Sequence, residues 1–383
     1  MNGKVLLVAT VQSHIAQFHR PVAKMLHENG YEVCVAARNN LAEKNGLRID
    51  FADKVFDVPF NRSPFSFKNI GAYKALKKVI DDGSYNIVHC NTPVGGVLTR
   101  LASRKARKHG TKVFYTAHGF HFYKGAPMKN WLIWYPVEKL MSRFTDTLIT
   151  IADEDYALAK AKFPTNTVHI HGVGANSEKY KKLSADEIRA LRLELGYKEE
   201  EKLLLCTGEL LPSKNQFTTI RAIKKLTERF PQARLLLAGN GPALPQLEEE
   251  VRSLGLETNV VFLGYRTDLE RFANIADVIV SCSFREGMAL NIIEGMMLGK
   301  PVVASSNRSH RELVVEGKTG FIVSPSDADG FAEKFSLLLD DSALAEKLGN
   351  AGFERAQKYT DNAVRIELEK VYFGSEREHC QSV

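Results

Sequence analysis

The sequence predicts an α/β protein of two Rossmann-like domains, each built on a doubly wound parallel sheet. Short runs rich in Val, Ile and Leu recur along the chain and alternate with helical stretches. The runs are continuous rather than alternating in polarity, which is typical of strands covered on both faces. Alternation of strands with helices favours parallel pairing through helical crossovers. The expected strands are 4–9, 31–36, 54–58, 86–90, 112–116, 147–151 and 167–170, then 202–206, 233–238, 259–263, 277–281, 301–304 and 320–323.

An interruption of this alternation divides the chain into the two domains. The length of 383 residues suits about two domains. A charged stretch between about 172 and 200 separates the two series of strands, and we interpret it as the interdomain connection. The predicted domains are therefore 1–172 and 173–354. The stretch 355–383 is expected to form a C-terminal helix that packs back on the first domain, and its polar end, 375–383, is expected to fray.

Composition and charge indicate an ordinary globular protein with one basic segment. The chain is 44% hydrophobic and 25% charged, which is an ordinary globular composition. Its five cysteines lack the spacing of a redox or zinc pair. An odd number of unpaired cysteines is typical of a reducing compartment. The first apolar run is too short for a signal peptide, and no stretch of ~18 apolar residues is present, so a cytoplasmic protein is expected. The segment 97–145 carries ten Lys and Arg against Glu138 alone, and it contains both tryptophans, Trp131 and Trp134.

A strand-to-helix connection in the second half carries two carboxylates at a suggestive spacing. Gly287 permits a tight turn and close approach of a ligand to the backbone. A helix is predicted to begin near Met288 or Ala289, and its free N–H groups suit a pyrophosphate. Glu286 precedes this helix, whereas Glu294 lies ~8 Å along its axis. One carboxylate can therefore accept hydrogen bonds from sugar hydroxyls and the other from ribose hydroxyls.

The sequence that follows this connection supports a donor site. It continues with G-K-P-V-V-A at 299–304, Glu312, and G-K-T-G-F-I-V at 317–323. In this order the segment 286–325 resembles the family 4 glycosyltransferases of the two-domain GT-B fold, whose signature is E-G-x6-E, G-x-P-V-[VI]-A, a short helix with a Glu, and G-x-x-G-x-L/I-V. The resemblance implies two domains facing a cleft, with the sugar nucleotide bound by the second. The donor contacts that it implies here are Glu286, Gly287, Met288, Ala289, Leu290 and Glu294.

A second match lies after the run 202–206. The family has G-R-L-x-x-x-K-N there, and its Arg and Lys neutralise the donor diphosphate. Gly208, Lys214 and Asn215 match, whereas Glu209 stands where the Arg is usual, so Lys214 is expected to carry more of the diphosphate charge. The resemblance implies that Lys214 and Glu286 act in catalysis as well as in binding.

Two further turns of the second domain are candidate donor contacts. The run 233–238 is followed by a turn containing Gly241, where the family has G-x-G-P. The loop after 259–263 contains Tyr265 and Arg266, and in the family this loop lies against the nucleotide base.

Histidines follow two predicted strands of the first domain, where an acceptor is expected. Ser13 and His14 occupy the loop that the family usually builds with glycines, and we expect them on the acceptor side. His118 and His121 stand in the run H-G-F-H-F after 112–116. The resemblance implies that His118 lies near the transferred sugar, and we expect His121 to contact the acceptor or simply to pack.

The run H-G-F-H-F also resembles a subgroup that builds capsular and exopolysaccharide repeat units on polyprenyl diphosphate. For such a subgroup the basic, Trp-rich stretch Lys124–Arg143 is expected to lie on an anionic membrane surface at the inner face of the cell membrane. An ordinary packed helix in a basic domain is the alternative.

No metal site is expected. The two D-x-D sequences, at 153–155 and 327–329, stand where helices are expected to start, and N-capping explains them. We expect no cofactor besides a UDP-sugar as co-substrate, with UDP implied by the resemblance. No carboxylate is assignable as a nucleophile. The family mechanism implies attack on the face from which the phosphate leaves, with that phosphate helping to deprotonate the acceptor.

The expected function is therefore retaining, metal-independent transfer of a hexose or N-acetylhexosamine from a UDP-sugar to a polyprenyl-diphosphate-linked saccharide. Exopolysaccharide or capsule synthesis, as in a biofilm, is the expected setting. A nucleotide-sugar epimerase of the same fold is the alternative enzyme. The basic segment also suggests nucleic-acid binding, but no recognised nucleic-acid-binding motif accompanies it, so no nucleic-acid partner is expected.

Overall fold

A computed structural model describes residues 3–43 and 46–374 of the chain. The chain forms two compact units, the first from Met1–Gly174 with Asp361–Val383 and the second from Ala175–Thr360. The expectation of a frayed end at 375–383 concerns residues outside the described part.

The first unit is built on a seven-stranded parallel sheet in the order β3-β2-β1-β4-β5-β6-β7. Its strands are β1 Gly3–Val11, β2 Tyr31–Arg38, β3 Lys54–Asp57, β4 Ile87–Asn91, β5 Lys112–Ala117, β6 Thr147–Thr150 and β7 Asn166–His169. Its helices are α1 Gln12–Phe18, α2 Arg20–Glu28, α3 Lys68–Gly83, α4 Pro93–Ala102, α5 Arg104–Lys108, α6 Met128–Ser142, α7 Asp153–Lys162 and the final helix of the chain, Asp361–Phe373. A 3₁₀ turn covers Leu41–Glu43.

The second unit is built on a six-stranded parallel sheet in the order β10-β9-β8-β11-β12-β13. Its strands are β8 Lys202–Thr207, β9 Ala233–Ala238, β10 Val260–Gly264, β11 Val278–Ser281, β12 Val302–Ser305 and β13 Phe321–Val323. Its helices are α8 Ala185–Glu194, α9 Gln216–Arg229, α10 Leu244–Ser253, α11 Leu269–Ile275, α12 Leu290–Met297, α13 Arg308–Leu313, α14 Ala328–Asp340 and α15 Ser342–Ala356; 3₁₀ turns cover Pro212–Lys214 and Gln357–Tyr359.

The predicted α/β class, with two doubly wound parallel sheets, is confirmed. A strand is present at each of the thirteen apolar runs, and no strand end differs from the expected one by more than two residues. The central strands are buried on both faces, which explains why the runs do not alternate in polarity. The strand order reverses between β1 and β4 in the first sheet and between β8 and β11 in the second. Ligands of such sheets bind beyond the carboxyl ends of the strands at these two points.

The charged stretch that we interpreted as a connection is more ordered than expected. It contains α8, which Ser184 begins with a capping box: its hydroxyl accepts from the backbone N–H of Glu187, and the Glu187 carboxylate accepts from the Ser184 N–H. Arg192 of α8 donates to the Asp277 carboxylate and to the Ile275 carbonyl. These contacts place the stretch in the second unit.

The final helix of the chain, α16, lies in the first unit. It begins at Asp361 rather than at about 355, because the backbone at Thr360 is extended and interrupts the helical run. His89 of β4 hydrogen-bonds the Tyr372 hydroxyl. The His171 N–H and ring donate to Glu367 at 2.8 and 2.6 Å.

A buried ion pair joins two helices to β5 in the first unit. Arg100 of α4 and Glu138 of α6 approach to 2.9 Å, and their side chains are 1% and 8% exposed. The Arg100 guanidinium lies over the Tyr115 ring, whose hydroxyl donates to Glu138. Because a buried charge is tolerated only with its partners, this cluster fixes α4 and α6 against the strand that precedes His118.

The two D-x-D sequences have different explanations. Asp327 accepts from the Gly330 N–H at 2.8 Å and caps α14, as expected. The expectation for 153–155 was wrong, because Ala152 is the N-cap of α7 and the buried Asp155 carboxylate accepts from the Phe120 N–H. Among the described helices, none is both long and apolar enough to cross a bilayer.

Candidate functional site

An ion pair stands at the point where the strand order of the second sheet reverses. Lys214 follows β8 and Glu286 follows β11, and these strands are neighbours. Lys214 Nζ lies 2.6 Å from Glu286 Oε1, and the Ser283 hydroxyl donates to the same oxygen. Both side chains are partly exposed, at 27% and 12%. The structure therefore brings together two residues that are 72 positions apart and presents their charges to solvent.

The neighbouring Asn215 holds these two loops together. Its amide donates from Nδ2 to the carbonyls of Cys282 at 3.1 Å and Pro325 at 2.6 Å. Its backbone has φ 58°, a left-handed conformation that Asn tolerates better than most residues. The side chain is buried and its donors are used by the protein, so Asn215 positions Lys214 and Glu286 rather than reaching outward.

Close backbone contact shapes the turn after β9. A Cβ at Gly239 would lie 1.9 Å from the Gly208 carbonyl oxygen, and one at Gly241 would lie 2.2 Å from that of Leu210. Glycine is therefore required at both positions of the turn. Of the two candidate ligands here, Gly241 packs against the loop that leads to Lys214, and Gly208 begins that loop.

Helix α12 begins at Leu290, slightly later than the expected Met288 or Ala289. Ala289 has ψ 80°, which is not helical, and its N–H donates to the Ser309 hydroxyl. Gly287 and Met288 lie in the connection that leads into the helix. The Ile292 N–H donates to the Ala289 carbonyl, whereas the N–H groups of Leu290 and Asn291 have no carbonyl partner within the helix and can meet an anion.

Glu294 lies in the middle of α12, half-buried and near Tyr180, Lys179 and Glu270. Burial raises the pKa of its carboxyl group to about 7, against the opposing effects of a hydrogen bond from Tyr180 and the charge of Lys179. A carboxyl group with such a pKa changes its charge near neutral pH, which is typical of functional sites.

A fully buried histidine, His310, supports this region from α13 and was not a candidate from the sequence. Its ring nitrogens lie 3.2 Å from the Ser281 hydroxyl and 2.9 Å from the Ser305 carbonyl. Burial lowers its pKa to about 4, whereas the nearby charge of Glu286 opposes this shift. His310 is therefore neutral at physiological pH. Its position two residues before Glu312, in the expected short helix, was the available signal.

The loop after β10 contains two candidate residues, of which Tyr265 is exposed and Arg266 forms an ion pair within the loop. Tyr265 is 55% exposed. The Arg266 guanidinium donates to both carboxylate oxygens of Asp268 at 2.8 and 2.6 Å and lies over the Phe272 ring. Arg266 is thus held in the loop by a bidentate ion pair.

In the first unit, His118 belongs to a group of neighbouring histidines. His118 Nε2 donates to Asn91 Oδ1 at 2.9 Å, which leaves Nδ1 as an acceptor. The His118 ring meets that of His14 edge to face at 4.8 Å, and His14 also neighbours His19. Burial lowers the pKa of His118 to about 3, so it is a neutral hydrogen-bonding group near pH 7.

The acceptor-side candidates line one cavity of about 520 Å³ in the first unit. Ser13, His14 and His121 are in its wall, together with Trp134 and Arg62. The rings of His121 and Trp134 are 5.1 Å apart. Across the described residues, His14 Nε2 is a buried atom that has no hydrogen-bond partner in the protein. The cavity therefore offers an aromatic surface of the kind that a sugar ring packs against, with the ring of His14 in its wall.

The basic, Trp-rich stretch Lys124–Arg143 contains helix α6, and the tryptophans of this helix face inward. Trp131 and Trp134 of α6 are half-buried, and Trp131 packs near Phe122 of the core. The exposed apolar residues of the helix are instead Met128 at 72%, Leu132 at 72%, Ile133 at 44% and Leu140 at 49%. The packing of Trp131 and Trp134 therefore does not support the expected contact of these two side chains with a membrane.

Comparisons with known proteins show the family of the chain. The family model described as glycosyl transferase 4-like matches residues 4–152, and the one described as glycosyl transferases group 1 matches 187–355. EpsD of Bacillus subtilis (strain 168), which is named as a glycosyltransferase, is 42% identical over 374 residues, 97% of each chain.

A more distant relative and a solved structure extend the comparison. The UDP-Gal:alpha-D-GlcNAc-diphosphoundecaprenol alpha-1,3-galactosyltransferase of Escherichia coli is 27% identical over 319 residues, 80% of this chain and 81% of that protein. The crystal structure of Anabaena HepE in complex with UDP and glucose has a TM-score of 0.77 at 20% identity, over 97% of this chain and 99% of that one. At this identity the structural likeness concerns the fold.

Replacement of Asn215 by Gly tests how the ion pair is held. Asn215→Gly relieves the left-handed backbone but leaves the carbonyls of Cys282 and Pro325 without their donor. We expect the free energy of unfolding of the second unit to fall by about 1–3 kcal/mol, measured by urea denaturation. The matched control is Ser84→Gly, which relieves a left-handed but exposed residue of the first unit and should be neutral or slightly stabilising. An Asn215→Gly protein as stable as wild type would show that the side chain does not hold the loops.

Proposed function

The chain belongs to the family 4 glycosyltransferases of the GT-B fold, and we propose that it transfers a hexose or N-acetylhexosamine from a UDP-sugar to a saccharide carried on polyprenyl diphosphate. The transfer retains the anomeric configuration and needs no metal ion. The observation that carries the proposal is the Lys214–Glu286 pair at the reversal of the second sheet, beside the first turn of α12.

The donor diphosphate binds between Lys214 and the first turn of α12. The ammonium group and the free N–H groups together offset the charge of the departing UDP. An arriving diphosphate shares Lys214 with Glu286, so Glu286 becomes available to the sugar hydroxyls. Glu294 then accepts from the ribose hydroxyls, as a carboxylate deep in the helix is able to do.

Retention is what the family resemblance implies, and among the described residues of the site no carboxylate is assignable as the nucleophile of a double displacement. Glu286, the carboxylate nearest to Lys214 in this site, is held by that ammonium and by Ser283. We propose that the acceptor oxygen bonds to the anomeric carbon on the face from which the phosphate oxygen departs. The acceptor proton passes to that phosphate oxygen, and UDP leaves with the electron pair of the broken bond.

The acceptor saccharide binds in the histidine-lined cavity of the first unit. The His121–Trp134 pair in its wall offers an aromatic face for a sugar ring. The neutral His118, whose ring meets that of His14, accepts from a hydroxyl of the transferred sugar. The E. coli relative is named for a diphosphoundecaprenol-linked substrate, which supports a lipid-linked acceptor. Assembly of an exopolysaccharide or capsule repeat unit, as in a biofilm matrix, is the setting that this chemistry fits.

Such an acceptor requires the enzyme to work at the inner face of the cell membrane. We assign the contact to α6 within Lys124–Arg143, where Met128, Leu132 and Lys129 are exposed. Apolar side chains enter the headgroup region while the lysines meet anionic lipid, which is the usual arrangement of an interfacial helix.

Product analysis tests the proposed reaction. The protein is incubated with a panel of UDP-sugars and a polyprenyl-diphosphate N-acetylhexosamine, with and without EDTA. We expect a lipid-linked disaccharide in which the new bond keeps the donor configuration, in equal yield with EDTA. Release of a free epimer without any lipid-linked product would identify an epimerase instead, and loss of yield in EDTA would contradict metal independence.

The titration of Glu294 predicts the pH dependence of donor binding. Because its pKa is about 7 instead of the ordinary 4.5, Glu294 is neutral below pH 7 and becomes a stronger acceptor for ribose hydroxyls above it. We expect the affinity for UDP-glucose to rise about tenfold between pH 6 and pH 8, measured by calorimetry. Glu294→Gln should lose this rise, whereas the control Lys214→Met should bind weakly at every pH and keep it. The same rise in Glu294→Gln would place the titrating group elsewhere.

Vesicle sedimentation tests the membrane contact. We expect wild-type protein to sediment with vesicles that contain phosphatidylglycerol, and Leu132→Ser/Lys129→Ser to partition at least about fivefold less, since each lysine near an anionic surface contributes about 1 kcal/mol. Lys347→Ser, which removes an exposed lysine of the second unit, is the matched control. Unchanged partitioning of the double variant would exclude α6 as the contact.

A further inference from the structure

Three cavities of the first unit adjoin one another along its surface. The histidine-lined cavity shares Pro64 with an open groove of about 410 Å³. That groove in turn shares Tyr73, Leu101 and Arg104 with a third cavity of about 710 Å³. A ligand that extends out of the histidine-lined cavity at Pro64 therefore enters the groove.

The groove is apolar, and its side chains are unusually exposed. It runs between the loop before α3 and the helix α4, and Phe65, Phe67 and Ile70 are 78%, 87% and 57% exposed. Leu98 and Leu101 form the opposite wall. Isolated exposed apolar residues are common, but several along one groove mark a binding surface for an apolar ligand.

Cationic side chains stand at both ends of the groove. Arg62 lies in the wall of the histidine-lined cavity, two residues before the shared Pro64. At the far end Arg104 is followed by the third cavity, where Lys105, Lys108 and Arg143 are exposed. Two other cations of this cavity are paired, Lys77 with Asp81 and Arg107 with Asp146. The path thus runs from a polar aromatic cavity past one cation, along an apolar groove, to a cationic end.

We propose that the groove binds the isoprenoid chain of the acceptor, next to its diphosphate. This inference rests on the proposed function, because it extends the acceptor from the saccharide to its lipid. The saccharide occupies the histidine-lined cavity, the diphosphate meets Arg62, and the first isoprene units lie between Phe67 and Leu101. The chain then leaves toward the bilayer at the Arg104 end, where the cations face anionic headgroups.

The order of polar, cationic and apolar surfaces along the path favours a polyprenyl-diphosphate saccharide over a peptide. It also favours this ligand over a membrane surface that touches the groove without entering the cavity. A polyprenyl-diphosphate saccharide has a polar head, two negative charges and a flexible apolar tail in the same order as the path. A membrane contact alone explains exposed phenylalanines but not their continuity, through Pro64, with a cavity lined by Ser13, His14 and His121.

The test compares two acceptors in buffer that contains neither vesicles nor detergent. Both carry the same saccharide on diphosphate, esterified in one case to a farnesyl chain and in the other to a methyl group. We expect the wild-type KM to be at least about tenfold lower for the farnesyl ester, because the chain is removed from water in the groove. Phe65→Ser/Phe67→Ser should lose this preference and keep the kcat for the methyl ester. Arg62→Ala should raise the KM for both esters by a similar factor.

The control is Leu193→Ser, an exposed apolar residue of α8 in the second unit that does not line the groove, which should keep the preference. If the double variant keeps the preference, or wild type has none, the groove is not the isoprenoid site, and transfer to either ester leaves the proposed function intact.

Direct binding of farnesyl diphosphate to the protein provides a readout without turnover. Binding that the double variant loses, in an enzyme that transfers no sugar, would support the groove and reject the proposed function. A defect that appears only with vesicles would identify the phenylalanines as a membrane contact and overturn the inference.

Discussion

The second unit depends on one buried amide for the geometry of its site. Asn215 links three loops, because its own loop follows β8, while its Nδ2 donates to the carbonyls of Cys282 after β11 and Pro325 after β13. Parallel strands end at the same edge of a sheet, but nothing in strand pairing fixes the distance between the loops that follow them. The amide supplies this constraint, and Lys214 and Glu286 stand in contact as a result.

Electrostatic conditions differ between the two candidate sites. In the second unit a lysine, two carboxylates and the first turn of a helix lie in partly buried surroundings, where Glu294 titrates near neutral pH. In the first unit the histidines around His118 are neutral, because burial disfavours their charged forms. A phosphate-bearing donor suits the first set of groups, and a hydroxyl-rich acceptor suits the second. The chemistry of the proposed reaction follows from this division of charged and neutral groups.

Several candidate residues make structural contacts that the sequence did not predict. Asn215 and Gly241 shape the loops, since the amide is used by backbone carbonyls and the glycine is in close contact with Leu210. Trp131 and Trp134 pack toward the core, so the exposed face of α6 is formed by Met128, Leu132 and Leu140. In each case the residue type predicted a site, whereas a contact with a distant residue decided how the side chain is used.

The sequence by itself determined the two parallel sheets and the position of the segments that carry the candidate donor residues. Apolar runs of strand length and glycines beside polar residues are local patterns, and they follow directly from burial and backbone sterics. Only the tertiary structure decided which of these segments meet. The Lys214–Glu286 pair joins residues 72 positions apart, and the hydrogen bonds of His310 depend on Ser281 of a different strand. The groove from Pro64 to Arg104 exists only once a loop lies against α4. Hydrogen bonds and cavities depend on distances across the fold, and no local periodicity contains them.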